Sequence, residues 1–244
     1  MTPVAAARFE PIDGLIAAAC RNGRAALTEP EAKAMLAHAG ISVPPERVVQ
    51  TAREAVRAAR AFGFPAVLKI VSPDLPHKSD AGGVRLGLQS AAAVEQAFAE
   101  MCAEVRETRP DARIDGVLVQ PQLRGVEVIL GATIDPHFGP VMVFGVGGTA
   151  VEVLGDVVFR LIPIDVHDAR AMLAEIKASP LLDGFRGTPA VSKDAVARAM
   201  LALSALVTRH AHAIREIEIN PLLVTPDAAI AIDAMAVVGA AEGL

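Results

Sequence analysis

A lysine inside an apolar segment is the first residue of this sequence that could take part in chemistry. Lys69 stands between Leu68 and Ile70 in the segment Ala66–Val71, which is bounded by prolines and predicts a buried strand. A buried ammonium group is costly unless an anion lies beside it. That anion could be a carboxylate in a structural ion pair or the phosphate of a ligand, and Lys69 alone does not decide between them.

The loop that follows this strand favours a phosphate ligand. Its sequence is His77-Lys-Ser-Asp-Ala-Gly-Gly-Val84, and the backbone N–H groups of Gly82 and Gly83 could hold phosphate oxygens. His77 lies in the same loop, and a neutral imidazole nitrogen can act as a nucleophile toward a phosphoryl group. Lys69 and this loop together therefore predict a phosphate site.

A second group of polar residues lies near the end of the chain. Glu218 and Asn220 alternate with isoleucines in a predicted strand, so they share one face. If Thr225–Ala228 forms a hairpin turn, the register places Asp233 directly opposite Asn220, with Glu218 as its diagonal neighbour. Two carboxylates and an amide make an oxygen-rich site suited to Mg²⁺. The alternative, a solvated strand face, fits Asp233 poorly because the rest of its strand is apolar.

Two other segments are less specific. Glu127, in a predicted strand, could accept a hydrogen bond in a cleft or simply face outward. The segment Phe144-Gly-Val-Gly-Gly148 lacks both the full dinucleotide-binding fingerprint and the lysine of a phosphate-binding P-loop. Its glycines could therefore either approach a ligand or form a tight turn, and the sequence does not decide between these two roles.

The elements that must position these residues are helices and strands without a strict β-α-β alternation, which predicts an α+β fold. Thr28 and Glu31 form a capping-box pattern that starts a helix ending near His38, and a long helix is predicted over Lys193–His210. We expect a helical lead-in over residues 1–50, a first α/β lobe over 51–116 and a second over 117–244. A cleft between two lobes is a common place for a ligand.

Composition excludes several classes of function. The net charge of −5 and the absence of Trp and Tyr argue against a nucleic-acid partner, which requires a basic surface and favours aromatic stacking. The apolar runs are shorter than the roughly 18 residues of a membrane span, and the sequence shows no signal peptide. We therefore expect a soluble, cytoplasmic protein with no membrane partner.

In their order along the chain, these motifs resemble the ATP-grasp subunit of NDP-forming acyl-CoA synthetases. The likeness is greatest to acetate–CoA ligase (ADP-forming), with the succinyl-CoA synthetase β subunit as a more distant relative, and it extends from about Leu27 to Val237. The motifs that carry it are Leu27-Thr-Glu-Pro-Glu-Ala-Lys33, Leu68-Lys-Ile-Val-Ser-Pro-Asp74, His77-Lys-Ser-Asp-Ala-Gly-Gly-Val84, Val119-Gln-Pro-Gln122, Gly125-Val-Glu127, Asp135-Pro-His-Phe-Gly-Pro140, Phe144-Gly-Val-Gly-Gly148 with Glu152, and Glu218-Ile-Asn-Pro221.

The resemblance implies an ATP-grasp fold, in which two α/β lobes enclose a nucleotide cleft that binds ATP or ADP with Mg²⁺. Lys69, with Gly82 and Gly83, would hold the nucleotide phosphates, and Glu127 would line the cleft. The adenine would be bordered by Val119, Gln120 and Gln122, although relatives often carry Met in place of Gln122. The residues on the Mg²⁺ side would be Glu218, Asn220 and Asp233, with Glu218 also placed among the catalytic residues.

The implied reaction is acyl-CoA + ADP + Pi ⇌ carboxylic acid + CoA + ATP. An acyl phosphate would form on a partner module and phosphorylate a histidine there, and His77 would relay the phosphoryl group to ADP. This sequence has no CoA-binding Rossmann region. The resemblance therefore implies that this chain is a β subunit or a piece of a fused enzyme. Its partner would be a CoA-binding α subunit, in an α2β2 hetero-oligomer, that carries the first phosphohistidine and binds most of the carboxylic acid or acyl-CoA.

Two alternatives remain at the level of sequence. One is a non-catalytic, nucleotide-sensing ATP-grasp module, as in fusions with a protein acyltransferase, but the joint presence of Lys69, His77, Glu218 and Asp233 argues against it. The other is an ATP-grasp carboxylate–amine ligase, which needs no phosphohistidine, so His77 disfavours it.

Overall fold

The structure is a computed structural model that describes residues 9–75, 78–147, 155–184 and 189–239. In chain order its helices are α1 (Glu10–Arg21), α2 (Glu29–His38), α3 (Ala52–Phe62), α4 (Ala91–Thr108), α5 (Val166–Glu175), α6 (Ser179–Leu182) and α7 (Lys193–His210). Its strands are β1 (Ala26–Leu27), β2 (Arg47–Val49), β3 (Ala66–Val71), β4 (Val84–Leu88), β5 (Gly116–Pro121), β6 (Val126–Asp135), β7 (Gly139–Val146), β8 (Val157–Leu161), β9 (Ile214–Val224), β10 (Ala229–Ala231) and β11 (Ala234–Val238). This mixture confirms the predicted α+β class.

The chain forms two compact units. Pro44–Leu123 forms the inserted unit, and the segments up to Val43 and from Arg124 onward together form the main unit. The boundaries differ from the expected divisions at residues 50 and 116. Strand β5 pairs with β3 and β2, so it belongs to the inserted unit. Strand β1 pairs with β11, so the early part of the chain belongs to the main unit.

A seven-stranded antiparallel sheet is the centre of the main unit. Its order is β1-β11-β9-β6-β7-β8, and β10 also pairs with β9. Helices α1, α2, α5 and α7 contribute side chains to one continuous core with this sheet. The central strands supply alternate residues to that core, including Leu130, Phe144, Ile217 and Ile219. The helices therefore cover one face of the sheet, which we call the core face; the other we call the acidic face, for the carboxylates described below.

The inserted unit repeats this arrangement on a smaller scale. Its four strands follow the order β2-β5-β3-β4 and are all antiparallel to their neighbours. Helices α3 and α4 pack on one face, where Ala66, Leu68 and Ile70 of β3 enter the core. All six residues of β3 are buried, which confirms the predicted buried strand.

Local sequence explains several helix ends and turns. The Thr28 backbone N–H donates to the Glu31 carboxylate at 2.8 Å, so α2 starts at the predicted capping box. The β6–β7 hairpin is held by the Asp135 carboxylate, which accepts N–H groups of Phe138 and His137 at 2.9 and 2.8 Å. These two bonds lower the pKa of Asp135 below its ordinary value. The long helix α7 has its predicted bounds.

No helix of the described ranges is long and apolar enough to cross a membrane.

A buried histidine at the end of α7 is sensitive to pH. His210 is 1% exposed, and its Nδ1 lies 3.3 Å from an Asp13 carboxylate oxygen on α1. Its Nε2 is buried without a hydrogen-bond partner among the described residues. Burial lowers the pKa of His210 below the ordinary 6.5, and Arg209 and His212 lower it further, which together outweigh the opposite effect of Asp13.

We therefore expect the protein to lose stability as the pH falls through and below 6.5. At these pH values His210 is protonated more readily in the unfolded chain than in the folded protein, so protonation stabilises the unfolded state relative to the folded one. His210→Gln should show a smaller decline in the free energy of unfolding over the same range, measured by urea denaturation. His137, whose side chain is 84% exposed, supplies the control variant His137→Gln, which should decline like the parent. Equal declines in the parent and His210→Gln would contradict the prediction.

Candidate functional site

The acidic residues of the main unit lie on the acidic face of its sheet. Ile217 and Ile219 of β9 are at most 1% exposed in the core, whereas Glu218 and Asn220 are half-buried on the opposite side. The predicted hairpin register is confirmed, because Ala229 pairs with Val224. The alternation of faces along β9 was therefore predictable from the sequence.

Asp233 lies in a bend that the sequence did not predict. The expected single strand is divided into β10 and β11, and the ladder to β9 resumes with Ala234 opposite Ile219. The same register applies on both sides of the bend, so Asp233 stands opposite Asn220. Asp233 directly precedes the core residue Ala234, and Asn220 directly follows the core residue Ile219, which predicts that both side chains lie on the acidic face.

These three residues suit a hard divalent cation. Glu218, Asn220 and Asp233 are half-buried and offer two carboxylates and one amide oxygen. Within the described ranges, no cluster of three or more His, Cys, Asp or Glu side chains is arranged to hold a metal. The predicted set contains only two such residues, so a cation there would complete its shell with phosphate or water oxygens, as Mg²⁺ commonly does. The donor chemistry therefore fits Mg²⁺.

Glu127 lies on the same face as Glu218. Strand β6 pairs Gly131 with Glu218, and Glu127 precedes Gly131 by four residues on the same side of the strand. The Glu127 side chain is exposed, and its backbone carbonyl accepts the Gly147 N–H at 2.9 Å. Position and exposure make Glu127 accessible to a ligand on the acidic face.

The glycines after Phe144 are required by close backbone packing. A Cβ atom on Gly145 would lie 2.3 Å from the Asp156 carbonyl oxygen, and one on Gly147 would lie 2.5 Å from the Val128 backbone. Both contacts are too short for any larger residue. Gly148 and Glu152 lie outside the described residues. For Gly145 and Gly147, packing against neighbouring strands explains the residue type.

Lys69 lies on the face of the inserted sheet opposite its helices. Its neighbours Leu68 and Ile70 enter the core, so Lys69 points the other way, and it is 4% exposed. Gln120 of β5 shares that face, since Gln120 pairs with Val67 and is a diagonal neighbour of Lys69. Gln120 is 1% exposed. A buried cation and a buried amide therefore stand side by side.

The glycine pair closes its own loop. The Gly83 N–H donates to the Lys78 carbonyl at 2.7 Å, and the Gly82 N–H donates to the Ser79 carbonyl at 3.1 Å. In this structure both amides bond within their own turn, and the role of Gly82 and Gly83 in holding phosphate oxygens stays a prediction. Gly82 has a φ of +69°, and a Cβ on Gly83 would lie 2.8 Å from the Lys78 carbonyl oxygen, so both glycines serve the turn.

His77, the predicted phosphoryl carrier, lies outside the described residues, as does Pro76. The chain on either side is described: Leu75 is buried in the inserted core, and Lys78 begins the turn that Gly83 closes. Arg85 holds the far end of this turn, because its guanidinium donates to the Gly82 carbonyl at 2.6 Å and to the Glu104 carboxylate. The loop that carries His77 is thus anchored at both ends.

Two of the residues predicted to border adenine have other partners. The Val119 side chain is fully buried in the core beneath α3 and α4. The Gln122 side-chain oxygen accepts the Gly87 N–H at 2.7 Å, which joins β5 to β4. Gln120 presents its side chain on the face of Lys69, whereas Val119 lies on the face of the helices.

Some buried charges of the main unit were not predicted from the sequence. Lys33 is fully buried on α2, where its ammonium lies 2.9 Å from the Glu29 carboxylate. The i,i+4 spacing and the apolar residues around Lys33 could have indicated this pair. Asp156, 8% exposed, accepts the N–H groups of Lys177 and Ala178 at 2.8 Å each, and nothing in its local sequence indicates these partners.

Comparison with known proteins identifies the family. The sequence model of the ATP-grasp domain matches residues 18–238. The chain is 42% identical over 215 residues to the β subunit of acetate–CoA ligase (ADP-forming) II of Pyrococcus furiosus, covering 87% of this chain and 91% of that one. It is 44% identical over 209 residues to the β subunit of isoenzyme I of the same organism, covering 85% and 90%.

Solved structures agree with these matches. Dinucleotide-forming acetyl-coenzyme A synthetase 1 of Ca. Korarchaeum cryptofilum, with coenzyme A and Ca-AMPCP, superposes with a TM-score of 0.89 at 40% identity, over 93% of this chain and 99% of that one. The same protein with coenzyme A and Mg-AMPPCP, its phosphohistidine segment pointing towards the nucleotide binding site, gives a TM-score of 0.80 at 38% identity over the same shares of the two chains. This chain therefore belongs to the ATP-grasp family, among the β subunits of ADP-forming acetate–CoA ligases.

Proposed function

We propose that this chain is the nucleotide-binding, phosphoryl-transferring β subunit of an ADP-forming acyl-CoA synthetase. The reaction is acyl-CoA + ADP + Pi ⇌ carboxylic acid + CoA + ATP, carried out with a CoA-binding α subunit. The observation that carries this proposal is the match to two β subunits over at least 90% of their lengths. The same observation disfavours a sensing module of an acyltransferase fusion.

Lys69 is the residue proposed to bind the nucleotide phosphates. Its ammonium is almost fully buried, so its attraction for a phosphate is weakened by water far less than that of a surface lysine. Gln120, on the same face, would offer an amide to the nucleotide beside it. Phosphoryl transfer depends mainly on positioning and on neutralising charge, which a fixed buried cation provides.

Glu218, Asn220 and Asp233 are proposed to hold Mg²⁺ with the nucleotide. When bound, the cation would neutralise charge on the phosphate oxygens. The register of β9 with its neighbours fixes the three residues on one face before any ligand arrives. Glu127, exposed on that face, would accept hydrogen bonds from the nucleotide.

His77 is proposed to relay the phosphoryl group. On the α subunit, phosphate would displace CoA from acyl-CoA to give an acyl phosphate, and a histidine there would take the phosphoryl group and release the acid. A His77 ring nitrogen would then accept the group, and a β-phosphate oxygen of ADP would take it to form ATP. The phosphohistidine segment of the Korarchaeum protein points towards its nucleotide binding site, which supports phosphoryl transfer between a histidine and the nucleotide.

Lys69→Met should weaken binding of MgADP by about 10- to 100-fold. A hydrogen bond to a charged group contributes about 1.5–3 kcal/mol, which corresponds to this range. Binding is measured by isothermal titration calorimetry, with thermal unfolding to confirm that the variant is folded. Lys177, an exposed lysine of the main unit, supplies the control Lys177→Met, which should bind like the parent. A folded Lys69→Met variant with parental affinity would rule out this role.

His77→Ala should abolish ATP formation by the complete αβ enzyme while leaving MgADP affinity within about twofold, because the imidazole carries the group and does not hold the nucleotide. The enzyme is incubated with acetyl-CoA and ³²P-phosphate, and label is followed on each subunit and in ATP. Label should accumulate on the α subunit and fail to reach ATP. His167→Ala removes an exposed histidine of α5 and should behave as the parent. Normal ATP formation by His77→Ala would refute the relay.

A further inference from the structure

A buried ion pair on α2 has no part in the function proposed so far. Lys33 is fully buried and Glu29 is 9% exposed, and their side-chain atoms Nζ and Oε1 lie 2.9 Å apart. The surrounding residues Ala32, Met35 and Leu36 are buried and apolar. Such a pair is weak evidence for stability, because removing two charges from water costs as much as their attraction returns. The pair therefore calls for another explanation.

The Lys33 ammonium also contacts the bend before Asp233. Its Nζ donates to the Ile232 carbonyl at 3.3 Å, although the two residues are 199 positions apart. The bend is the gap in the β-ladder between the pairs Ala231–Leu222 and Ala234–Ile219. Within this gap the Ile232 N–H donates to the Pro221 carbonyl at 3.1 Å. The peptide groups on both sides of Ile232 are therefore held, one by β9 and the other by α2.

We propose that Lys33 is a positioning residue for Asp233, and through it for the Mg²⁺ of the nucleotide. The inference rests on the proposed function, in which Asp233 holds that cation. The Ile232 carbonyl and the Asp233 nitrogen belong to one planar peptide group. A bond that holds the carbonyl therefore also fixes the orientation of the backbone at Asp233. Glu29 holds the ammonium in place. Residues that contact a metal ligand, without contacting the metal itself, set the orientation of that ligand.

A purely structural role makes a different prediction. If the pair only joins α2 to the sheet, its removal lowers thermal stability and leaves the response to Mg²⁺ unchanged. If Lys33 positions Asp233, its removal weakens the coupling between Mg²⁺ and ADP even in a folded protein. The diagnostic quantity is the ratio of the ADP dissociation constants without and with saturating Mg²⁺.

The test variant is Glu29→Gln/Lys33→Met, which removes both charges and so leaves no buried charge uncompensated. We expect its ratio to fall by about tenfold or more, the usual effect of removing a residue that orients a metal ligand. Its affinity for ADP in EDTA should stay within about twofold of the parent. Should this variant not fold, Glu29→Gln/Lys33→Gln takes its place. Its two amides can still bond to each other, while the shorter side chain at position 33 withdraws from the Ile232 carbonyl.

Two controls separate the possible failures. Leu206→Ala, in the core of α7, is expected to lower stability by about 2–5 kcal/mol and should leave the ratio unchanged. Asp233→Asn should lower the ratio at least as far as the double variant. If Asp233→Asn lowers the ratio and the double variant does not, the role of Lys33 is wrong and the proposed metal site stands. If Asp233→Asn also leaves the ratio unchanged, the metal site is wrong and the inference falls with it.

Discussion

The alternation of side chains along β9 governs both the core and the acidic face of the main unit. Ile217 and Ile219 are buried against the helices, and Glu218 lies between them on the other side. A shift of one residue in the pairing would exchange these faces, placing a carboxylate in the core and two isoleucines outside. Hydrophobic burial therefore selects the register, and the same register aligns Asn220 with Asp233. The core therefore determines the face of Glu218 on β9, whereas Asp233 lies in the bend between β10 and β11.

The two buried lysines meet different physical requirements. Lys33 has a carboxylate within 2.9 Å on the same helix, so its charge is offset inside the core of the main unit. Lys69 instead occupies the sheet face away from the helices of the inserted unit, next to Gln120. A cation on that face needs no space in the apolar core, and a phosphate is the ligand whose charge suits it best. Both lysines are buried, but they lie on different faces of different sheets, and this difference is the reason that a positioning role is proposed for Lys33 and phosphate binding for Lys69.

Features set by neighbouring residues could be predicted from the sequence, whereas features set by distant pairing could not. The capping box of α2, the buried strand β3 and the Val224–Ala229 register each depend on a few consecutive residues. The predicted boundary between the two units near residue 116 differs from the structure because β5 pairs with β3, and no local pattern in the sequence specifies that partner. Gly82 and Gly83 were correctly identified as special, but their N–H groups close a turn, a choice that only the folded loop reveals. The contact of Lys33 with Ile232 was equally inaccessible, since 199 positions separate them.

The break between β10 and β11 links the helical layer to the acidic face. The residue opposite Ile232 is Pro221, which has no backbone N–H, so β9 can accept the Ile232 N–H but cannot donate to the Ile232 carbonyl. The bend keeps the bond from the Ile232 N–H to β9 and gives the carbonyl to the ammonium on α2. An interruption of a strand costs ladder pairing, and such interruptions are common beside functional sites, where they redirect a side chain. Asp233 is the carboxylate that lies in this interruption. Regular pairing is therefore given up beside Asp233, the carboxylate that is proposed to hold the cation.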